Sequence, residues 1–95
     1  MRIKITYLGL FRKKVGKREE QYEVMDGSSL SQLLKNLSET YGESLDNIFS
    51  AKEESKLDPT FIVTVNGEQK NVLRGNEVRL KDGDNVALMM LISGG

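Results

Sequence analysis

Alternating apolar and polar residues open the chain, and this period of two predicts a half-buried β-strand over residues 2–8. A basic stretch follows over residues 10–18 and indicates a hairpin connection into a second strand over residues 20–25. Five of the seven residues in 12–18 are Lys or Arg. Such a cluster would suit a phosphate or a partner protein, but in a neutral chain the simpler interpretation is a solvated loop.

The clearest helical pattern covers residues 30–41, where apolar side chains recur on one stripe. The stripe consists of Leu30, Leu33, Leu34, Leu37 and Tyr41. Ser29 and Gln32 fit a capping box, in which a hydroxyl and an amide satisfy each other's free backbone donors. Gly42 stands where a left-handed C-terminal cap is expected. One apolar face on an otherwise polar helix predicts that the helix lies across a sheet.

The second half of the chain predicts three further strands. Residues 61–65 are rich in β-branched side chains and precede Asn66-Gly67, a hairpin signal because both residues tolerate a positive φ. The return strand, residues 69–73, is short and polar enough for a sheet edge. Residues 86–92 are apolar throughout, which is typical of a central strand. The intervening residues 43–59 carry weaker signals. One more helical turn on the core is compatible with Leu45, Ile48 and Phe49.

The order of these elements, two strands, one helix and then three strands, predicts an α+β fold. A mixed sheet would carry the one main helix across it. Because the first and last strands are both strongly apolar, we expect them to lie side by side at the centre of the sheet. This is the ubiquitin-like β-grasp arrangement. We interpret residues 1–95 as a single domain of this kind, with a flexible Gly-Gly tail at residues 93–95.

Composition excludes several classes of function. With 14 Lys and Arg against 14 Asp and Glu, the 95-residue chain has zero formal net charge, which argues against a nucleic-acid partner. Cys and His are absent, so the chain has no disulfide, thiol nucleophile, Cys/His zinc site or histidine-based triad. A catalyst would have to rely on carboxylates, Lys or Tyr. The inventory therefore favours a protein that is not an enzyme by itself.

Two further patterns have structural rather than chemical interpretations. Asp82-Gly83-Asp84 is a tight turn and not a calcium loop, because the ligand spacing and the distal Glu are missing, and we expect no metal site. The longest apolar run, residues 86–92, is too short to span a bilayer, and residues 1–4 are not typical of a signal peptide. We therefore expect a cytoplasmic protein with no membrane partner.

The most distinctive chemistry is at the C-terminus, where the sequence ends in Gly94-Gly95 directly after the last predicted strand. Two residues without a Cβ form a thin, flexible tail that can thread into a narrow active site of another protein. The terminal carboxylate is unhindered and becomes a good acyl donor once it is activated as an acyl-adenylate. A frayed terminus without function is the alternative. On the last strand of a β-grasp sheet, we favour the functional interpretation.

The ordered set of motifs resembles the ubiquitin-like sulfur-carrier family, and within it the small subunits of molybdopterin synthase. The resemblance covers nearly the whole chain. The motifs that carry it are Tyr7-Leu8, Leu10-Phe11, Val15-Gly16, the Leu30-Leu33-Leu34 helix ending in Tyr41-Gly42, Val65-Asn66-Gly67, Leu80-x-Asp82-Gly83-Asp84-x-Val86 and the terminal Ile92-Ser93-Gly94-Gly95.

The resemblance implies a role for each residue of the tail. An adenylating enzyme similar to ubiquitin E1 would use ATP to activate the carboxylate of Gly95, which then becomes a thiocarboxylate. The tail would insert into the large catalytic subunit of molybdopterin synthase, where its sulfur is transferred to a pterin precursor. Gly94 would keep the tail thin, and Ser93 and Ile92 would line its passage into the partner. The chain itself would be non-catalytic and hold no permanent cofactor.

Related carriers remain open as alternatives. Met89-Met90-Leu91 stands where many synthase subunits have a Phe/Pro-rich stretch. Ubiquitin-related modifiers, which thiolate tRNA or conjugate to lysines, share the Gly-Gly terminus, but several have His at the position of Ser93. Ser93 therefore favours the synthase subunit. A β-grasp interaction module with an inert tail is a third hypothesis.

Under each hypothesis we expect a partner surface on the sheet face opposite the helix. The first strand would contribute Arg2, Lys4 and Thr6 to it. From the last strand, either the set Ala87, Met89 and Leu91 or the opposite set would lie beside them, since a slip of one residue exchanges the two faces.

Overall fold

A computed structural model describes residues 1–42 and 61–90 of the chain. Within these residues the strands are β1 (Arg2–Gly9), β2 (Glu19–Glu23), β3 (Phe61–Val65), β4 (Glu68–Lys70) and β5 (Asn85–Met90). They form one mixed sheet in the order β2-β1-β5-β3-β4. β1 and β5 are parallel, and the other neighbouring pairs are antiparallel. The predicted central pairing of the first and last strands is confirmed.

One face of this sheet forms the core. Ile3, Ile5 and Tyr7 of β1 are buried on it, beside Val86 and Leu88 of β5. The alternation of the first strand therefore directs its apolar set toward the helix, as a period of two requires. Met90 of β5 is also buried, as are Phe61, Val63 and Val65 of β3.

The main helix, α2 (Leu30–Tyr41), has the predicted bounds; a shorter helix, α1 (Leu10–Val15), precedes it in the chain. The capping box is present: the Gln32 backbone N–H donates to the Ser29 hydroxyl over 3.2 Å, and the Ser29 N–H donates to the Gln32 amide oxygen over 2.8 Å. The four leucines of the stripe are buried against the sheet. The mixed sheet with one main helix across it confirms the α+β prediction.

Gly42 ends α2 in a conformation other than the predicted one. Its φ of 96° is positive, as expected, but its ψ of −174° lies outside the left-handed helical region. The Gly42 N–H still closes the last turn, because it donates to the Ser38 carbonyl over 2.9 Å. Gly42 therefore does not form the predicted left-handed cap.

The predicted hairpin connection is confirmed by the antiparallel pairing of β1 and β2, but residues 10–15 form the helix α1 rather than part of a solvated loop. Phe11 is buried and packs edge-to-face on Phe61, with ring centroids 5.4 Å apart. Gly16 ends the helix in the left-handed conformation and donates its N–H to the Arg12 carbonyl over 2.9 Å. Six residues are too few for a helical period to be recognised in sequence, and the buried partner of Phe11 is remote in the chain.

The prediction of a return strand over residues 69–73 also needs correction. β4 ends at Lys70, and a 3-10 segment (Val72–Glu77) follows. The Asn71 side chain starts this segment by accepting a hydrogen bond from the Leu73 N–H over 2.9 Å. The segment packs on α2 at Gly75, where a Cβ would lie only 2.5 Å from the Ser31 hydroxyl.

Smaller differences concern strand ends and turns. β2 ends at Glu23, two residues before the predicted end. The tight turn at residues 82–84 is confirmed, since the Asp84 N–H donates to the Lys81 carbonyl over 3.0 Å. The suggested helical turn at Leu45, Ile48 and Phe49 lies outside the described residues, as do the last two residues of the predicted strand 86–92.

Candidate functional site

The residues proposed for the tail, Ile92, Ser93, Gly94 and Gly95, lie outside the described part of the chain. What the structure describes is the strand from which they follow. Met90, the last residue of β5, is paired with Gly9 of β1 on one side and with Phe61 of β3 on the other. The strand that leads to the C-terminal residues is therefore held at the centre of the sheet by neighbours on both sides.

Gly9 makes this central pairing possible at the end of β5. Its backbone (φ 62°, ψ −133°) lies in a region that side chains disfavour, and a Cβ there would collide with the carbonyl oxygen of Met90. Gly9 thus allows β1 to approach β5 closely and then turn into α1. Gly9 was not among the predicted site residues. The available signal was a glycine at the end of an alternating strand, which often marks a close backbone approach.

The strand register decides which residues of β5 face away from the helix. Ala87 is aligned with Thr6 and Thr64, and Met89 is aligned with Leu8 and Ile62. Each of these six residues is partly exposed, whereas Val86, Leu88 and Met90 are buried. We call the residues Thr6, Leu8, Ile62, Thr64, Ala87 and Met89 the outer sheet face.

The outer sheet face settles the choice that the sequence left open. Ala87 and Met89 lie beside Thr6, and the alternative set of β5 belongs to the core. Met89 and Met90 are adjacent in sequence but have different roles. Met90 is buried in the core, and Met89 lies on the outer sheet face. The apolar part of this face, Leu8, Ile62 and Met89, is at the end of the sheet where β5 stops. A partner that receives the C-terminal residues would find apolar surface there.

A polar cluster lies on the helix side of the sheet. The Glu20 carboxylate accepts a hydrogen bond of 2.5 Å from the Tyr7 hydroxyl, another from the Tyr41 hydroxyl, and one of 3.3 Å from the Lys17 ammonium. The Lys17 ammonium also lies over the Tyr41 ring, 5.7 Å from its centroid. These contacts connect β1, β2 and the end of α2. The cluster therefore holds the C-terminal turn of α2 to the sheet.

The electrostatics of the cluster follow from burial and hydrogen bonding. Burial by itself would raise the pKa of Glu20, but the hydrogen bonds from Tyr41, Tyr7 and Lys17 outweigh it and hold the pKa below its ordinary value. Burial and the bond to Glu20 raise the pKa of both tyrosines. A carboxylate that is ionised and fully engaged by three donors is suited to a structural role rather than to acid–base chemistry.

Neither a membrane-spanning helix nor a metal-binding cluster is present among the described residues. No helix within residues 1–42 and 61–90 is long and apolar enough to cross a membrane. In the same part of the chain, no three acidic side chains are grouped so that they could hold a metal ion.

The sheet order, the parallel central pair formed by the first and last strands, and the helix across one face define a ubiquitin-like β-grasp protein. Sequence comparison then assigns the family. The match to the ThiS family extends over residues 5–95, and the chain belongs to this family of ubiquitin-like sulfur carriers. Among curated proteins, no sequence matches significantly.

Solved structures agree with the fold. A Pyrococcus furiosus protein described as molybdopterin converting factor, subunit 1 has a TM-score of 0.74 at 22% identity, covering 97% of this chain and 99% of that one. Small archaeal modifier protein 1 from Methanosarcina acetivorans has a TM-score of 0.72 at 25% identity, with 99% and 96% covered. Urm1 from Trypanosoma brucei has a TM-score of 0.73 at 22% identity, with 99% and 95% covered.

Proposed function

We propose that this protein is the small subunit of molybdopterin synthase and carries sulfur on its C-terminal Gly95 for molybdopterin biosynthesis. The observation that carries the proposal is the family match, which includes the Gly-Gly terminus. The likeness to a protein described as molybdopterin converting factor, subunit 1 supports this branch of the family. Ser93 before the two glycines favours the same branch.

The chemistry takes place in two steps on an E1-like adenylating enzyme. A carboxylate oxygen of Gly95 attacks the α-phosphate of ATP, which forms an acyl-adenylate and releases pyrophosphate. A hydrosulfide ion supplied by the activating system then attacks the acyl carbon, AMP leaves with the carboxylate oxygen, and the resulting thioacid loses its proton. The product is a C-terminal thiocarboxylate. ATP belongs to the partner's site, and this chain contributes the acyl group and no catalytic side chain.

The outer sheet face is the surface on which such partners would dock. Five residues follow Met90, and an extended chain of this length reaches at most about 18 Å. A protein that holds the Gly95 carboxylate in its active site is therefore close to Leu8, Ile62 and Met89 as well. The activating enzyme and the large catalytic subunit of the synthase need the same tail, so they would bind in succession rather than together. We place this cycle in the cytoplasm.

Intact-mass spectrometry of the protein from its native cells, isolated without reducing agents, tests the proposal. We expect a mass increase equal to the replacement of one oxygen by one sulfur, and its loss when Gly95 is deleted. A variant extended by one residue after Gly95 is the matched control: it retains both glycines but moves the carboxylate. The extended form should also lack the added sulfur. Normal thiocarboxylate formation in either variant would contradict the mechanism.

The sulfur acceptor distinguishes the synthase subunit from the related carriers. The thiocarboxylated protein, mixed with the large synthase subunit and the pterin precursor, should yield molybdopterin and return to the mass of the free carboxylate. A transfer RNA that becomes thiolated instead would identify a tRNA-thiolation carrier.

A protein modifier is the second candidate function. The likeness to small archaeal modifier protein 1 at 25% identity is the observation that favours it. In that case Gly95 would form an isopeptide bond with a lysine of a target protein. Immunoblots of native cells would show a ladder of larger species that disappears when Gly95 is deleted. Absence of both the ladder and the added sulfur would leave a β-grasp interaction module.

A further inference from the structure

The basic residues between Arg12 and Arg18 stand out against the neutral charge of the whole chain. This stretch contains Arg12, Lys13, Lys14, Lys17 and Arg18 and no acidic residue, although the 95 residues balance 14 cations with 14 anions. Each of the five side chains is exposed. We call Arg12, Lys13 and Lys14, which share α1, the basic face of α1.

The basic face of α1 is a run of three consecutive cations without ion pairs, in contrast to the paired cations on the sheet. Elsewhere, Arg2 pairs with Glu23 at 3.1 Å and Lys4 pairs with Glu19 at 2.9 Å. Within residues 1–42 and 61–90, no acidic group lies within ion-pair distance of Arg12, Lys13 or Lys14. Among the described residues, their charge is therefore not neutralised by an ion pair.

The fold fixes this face at the end of the sheet from which the C-terminal residues follow. α1 begins at Gly9, which is paired with Met90. Phe11, on the opposite side of the helix, is buried against Phe61, which is paired with Met90 from the other side. The cations are thus carried by a helix anchored beside the last residue of β5, and their position relative to that residue is defined.

We propose that the basic face of α1 docks on an acidic surface that borders the tail-receiving cleft of the adenylating enzyme. The proposal rests on the proposed function and extends it, because it names the chemistry of the partner. The outer sheet face supplies apolar contact next to Met90, and the basic face of α1 supplies the charge beside it. Exposed charges at the rim of an interface accelerate association and select the partner.

An acidic protein surface fits the basic face of α1 better than the two other anionic ligands considered, which are the phosphates of ATP and a single-stranded nucleic acid. If the five residues beyond Met90 thread into a narrow cleft in an extended form, the reacting carboxylate is about 18 Å from Met90, and α1 would border the entrance of the cleft rather than the nucleotide. A single-stranded nucleic acid would need aromatic side chains for stacking, but Phe11 is buried in the core.

Steady-state adenylation with the cognate E1-like enzyme, followed by pyrophosphate release, tests this docking. The test variant is Arg12→Glu/Lys13→Glu/Lys14→Glu. The matched control is Lys35→Glu/Arg74→Glu/Lys81→Glu, which changes the net charge equally at exposed positions elsewhere on the described surface. Thermal unfolding establishes that both variants fold. A milder variant, Arg12→Gln/Lys13→Gln/Lys14→Gln, serves if the reversal destabilises α1.

We expect the test variant to raise KM roughly tenfold at about 50 mM salt, with kcat within about twofold of the wild type. The difference should shrink at about 300 mM salt, where charges are screened over a few ångströms. The control should stay within about twofold in KM. For the milder variant, a threefold rise in KM is the rough expectation.

An unchanged KM in the test variant would overturn the proposal, and so would an equal rise in the control, which would assign the effect to net charge. Loss of binding to transfer RNA with an unchanged KM would identify an RNA surface instead. If the wild-type protein is not adenylated at all, the proposed function itself fails, and the docking proposal falls with it. If the wild-type protein is adenylated normally and the α1 variant has the same KM, only the docking proposal is rejected.

Discussion

Replacing Gly9 with alanine tests whether the close approach of β1 to β5 holds Met90, the last residue of β5, in place. The substitution adds a methyl group where the backbone has a φ of 62° and where the new Cβ meets the Met90 carbonyl oxygen. A disfavoured backbone conformation costs about 1–3 kcal/mol, and overpacking costs about 1–3 kcal/mol more. We therefore expect the free energy of unfolding to fall by about 2–6 kcal/mol, a large part of the about 5–15 kcal/mol that is typical of folded proteins.

Urea unfolding followed by circular dichroism measures this loss. Gly16→Ala is the matched control, because Gly16 ends the same helix with a positive φ of 82° but a Cβ there would meet nothing within 4 Å. Gly16→Ala places a side chain on a left-handed backbone but causes no collision. A residue with a side chain in this conformation lowers the free energy of unfolding by about 1–2 kcal/mol. Adenylation kinetics at low temperature, where Gly9→Ala is still folded, would show whether displacement of Met90 lowers kcat/KM.

The difference between the two variants decides the outcome. If Gly9→Ala and Gly16→Ala destabilise the protein equally, the contact with Met90 contributes nothing beyond the backbone conformation. If Gly9→Ala is destabilised more but adenylated with an unchanged kcat/KM, the close approach serves the fold and does not position the tail.

Three further changes have distinct expected results. Glu20→Gln should lower the free energy of unfolding by about 1–3 kcal/mol at neutral pH, because it removes charge-assisted hydrogen bonds. The folded-state pKa of Glu20 is depressed, so the stabilisation by its carboxylate is present above the ordinary Glu pKa and is lost as pH falls through the folded-state value. Urea titrations from neutral to acidic pH should therefore show the two proteins converging, and a constant difference would contradict this. Met89→Asp should weaken binding to the adenylating enzyme roughly tenfold in calorimetry. Met25→Asp, at a methionine that is 83% exposed outside the outer sheet face, should not weaken it, and equal losses would exclude a specific role for that face. Ser29→Ala should lower the melting temperature through loss of about 1 kcal/mol of capping, with adenylation unchanged; no change in melting temperature would show that the cap is dispensable.

Local patterns were sufficient for several elements. The helix over residues 30–41 was predicted with its exact bounds, because the apolar stripe, the Ser29–Gln32 box and Gly42 act over a few residues. The strand over residues 61–65 was equally exact, since its β-branched residues end at an Asn-Gly turn. At the end of this helix, however, the type of cap was not predicted correctly, because the ψ angle of Gly42 is not set by the local sequence pattern.

The features that were not predicted, α1 and the cluster around Glu20, depend on contacts between residues that are distant in the chain. α1 depends on Phe11 against Phe61, 50 residues apart in the chain, and on Gly9 against Met90. Neither pair leaves a periodic signal. The cluster around Glu20 was missed for the same reason, since its donors come from β1, from α2 and from the residues between α1 and β2. A glutamate in an alternating strand was indistinguishable from a solvated one.

The sequence by itself determined the strands other than β4, the main helix, the mixed α+β architecture and the Gly-Gly terminus on which the proposed chemistry depends. These features follow from side-chain periodicity, capping and covalent structure, which are local. The tertiary structure alone decided that Met89 faces outward while Met90 is buried, because a strand's register against its neighbours sets its faces. It also decided that the basic face of α1 lies beside the end of β5. That position arises from packing between residues that only folding brings together.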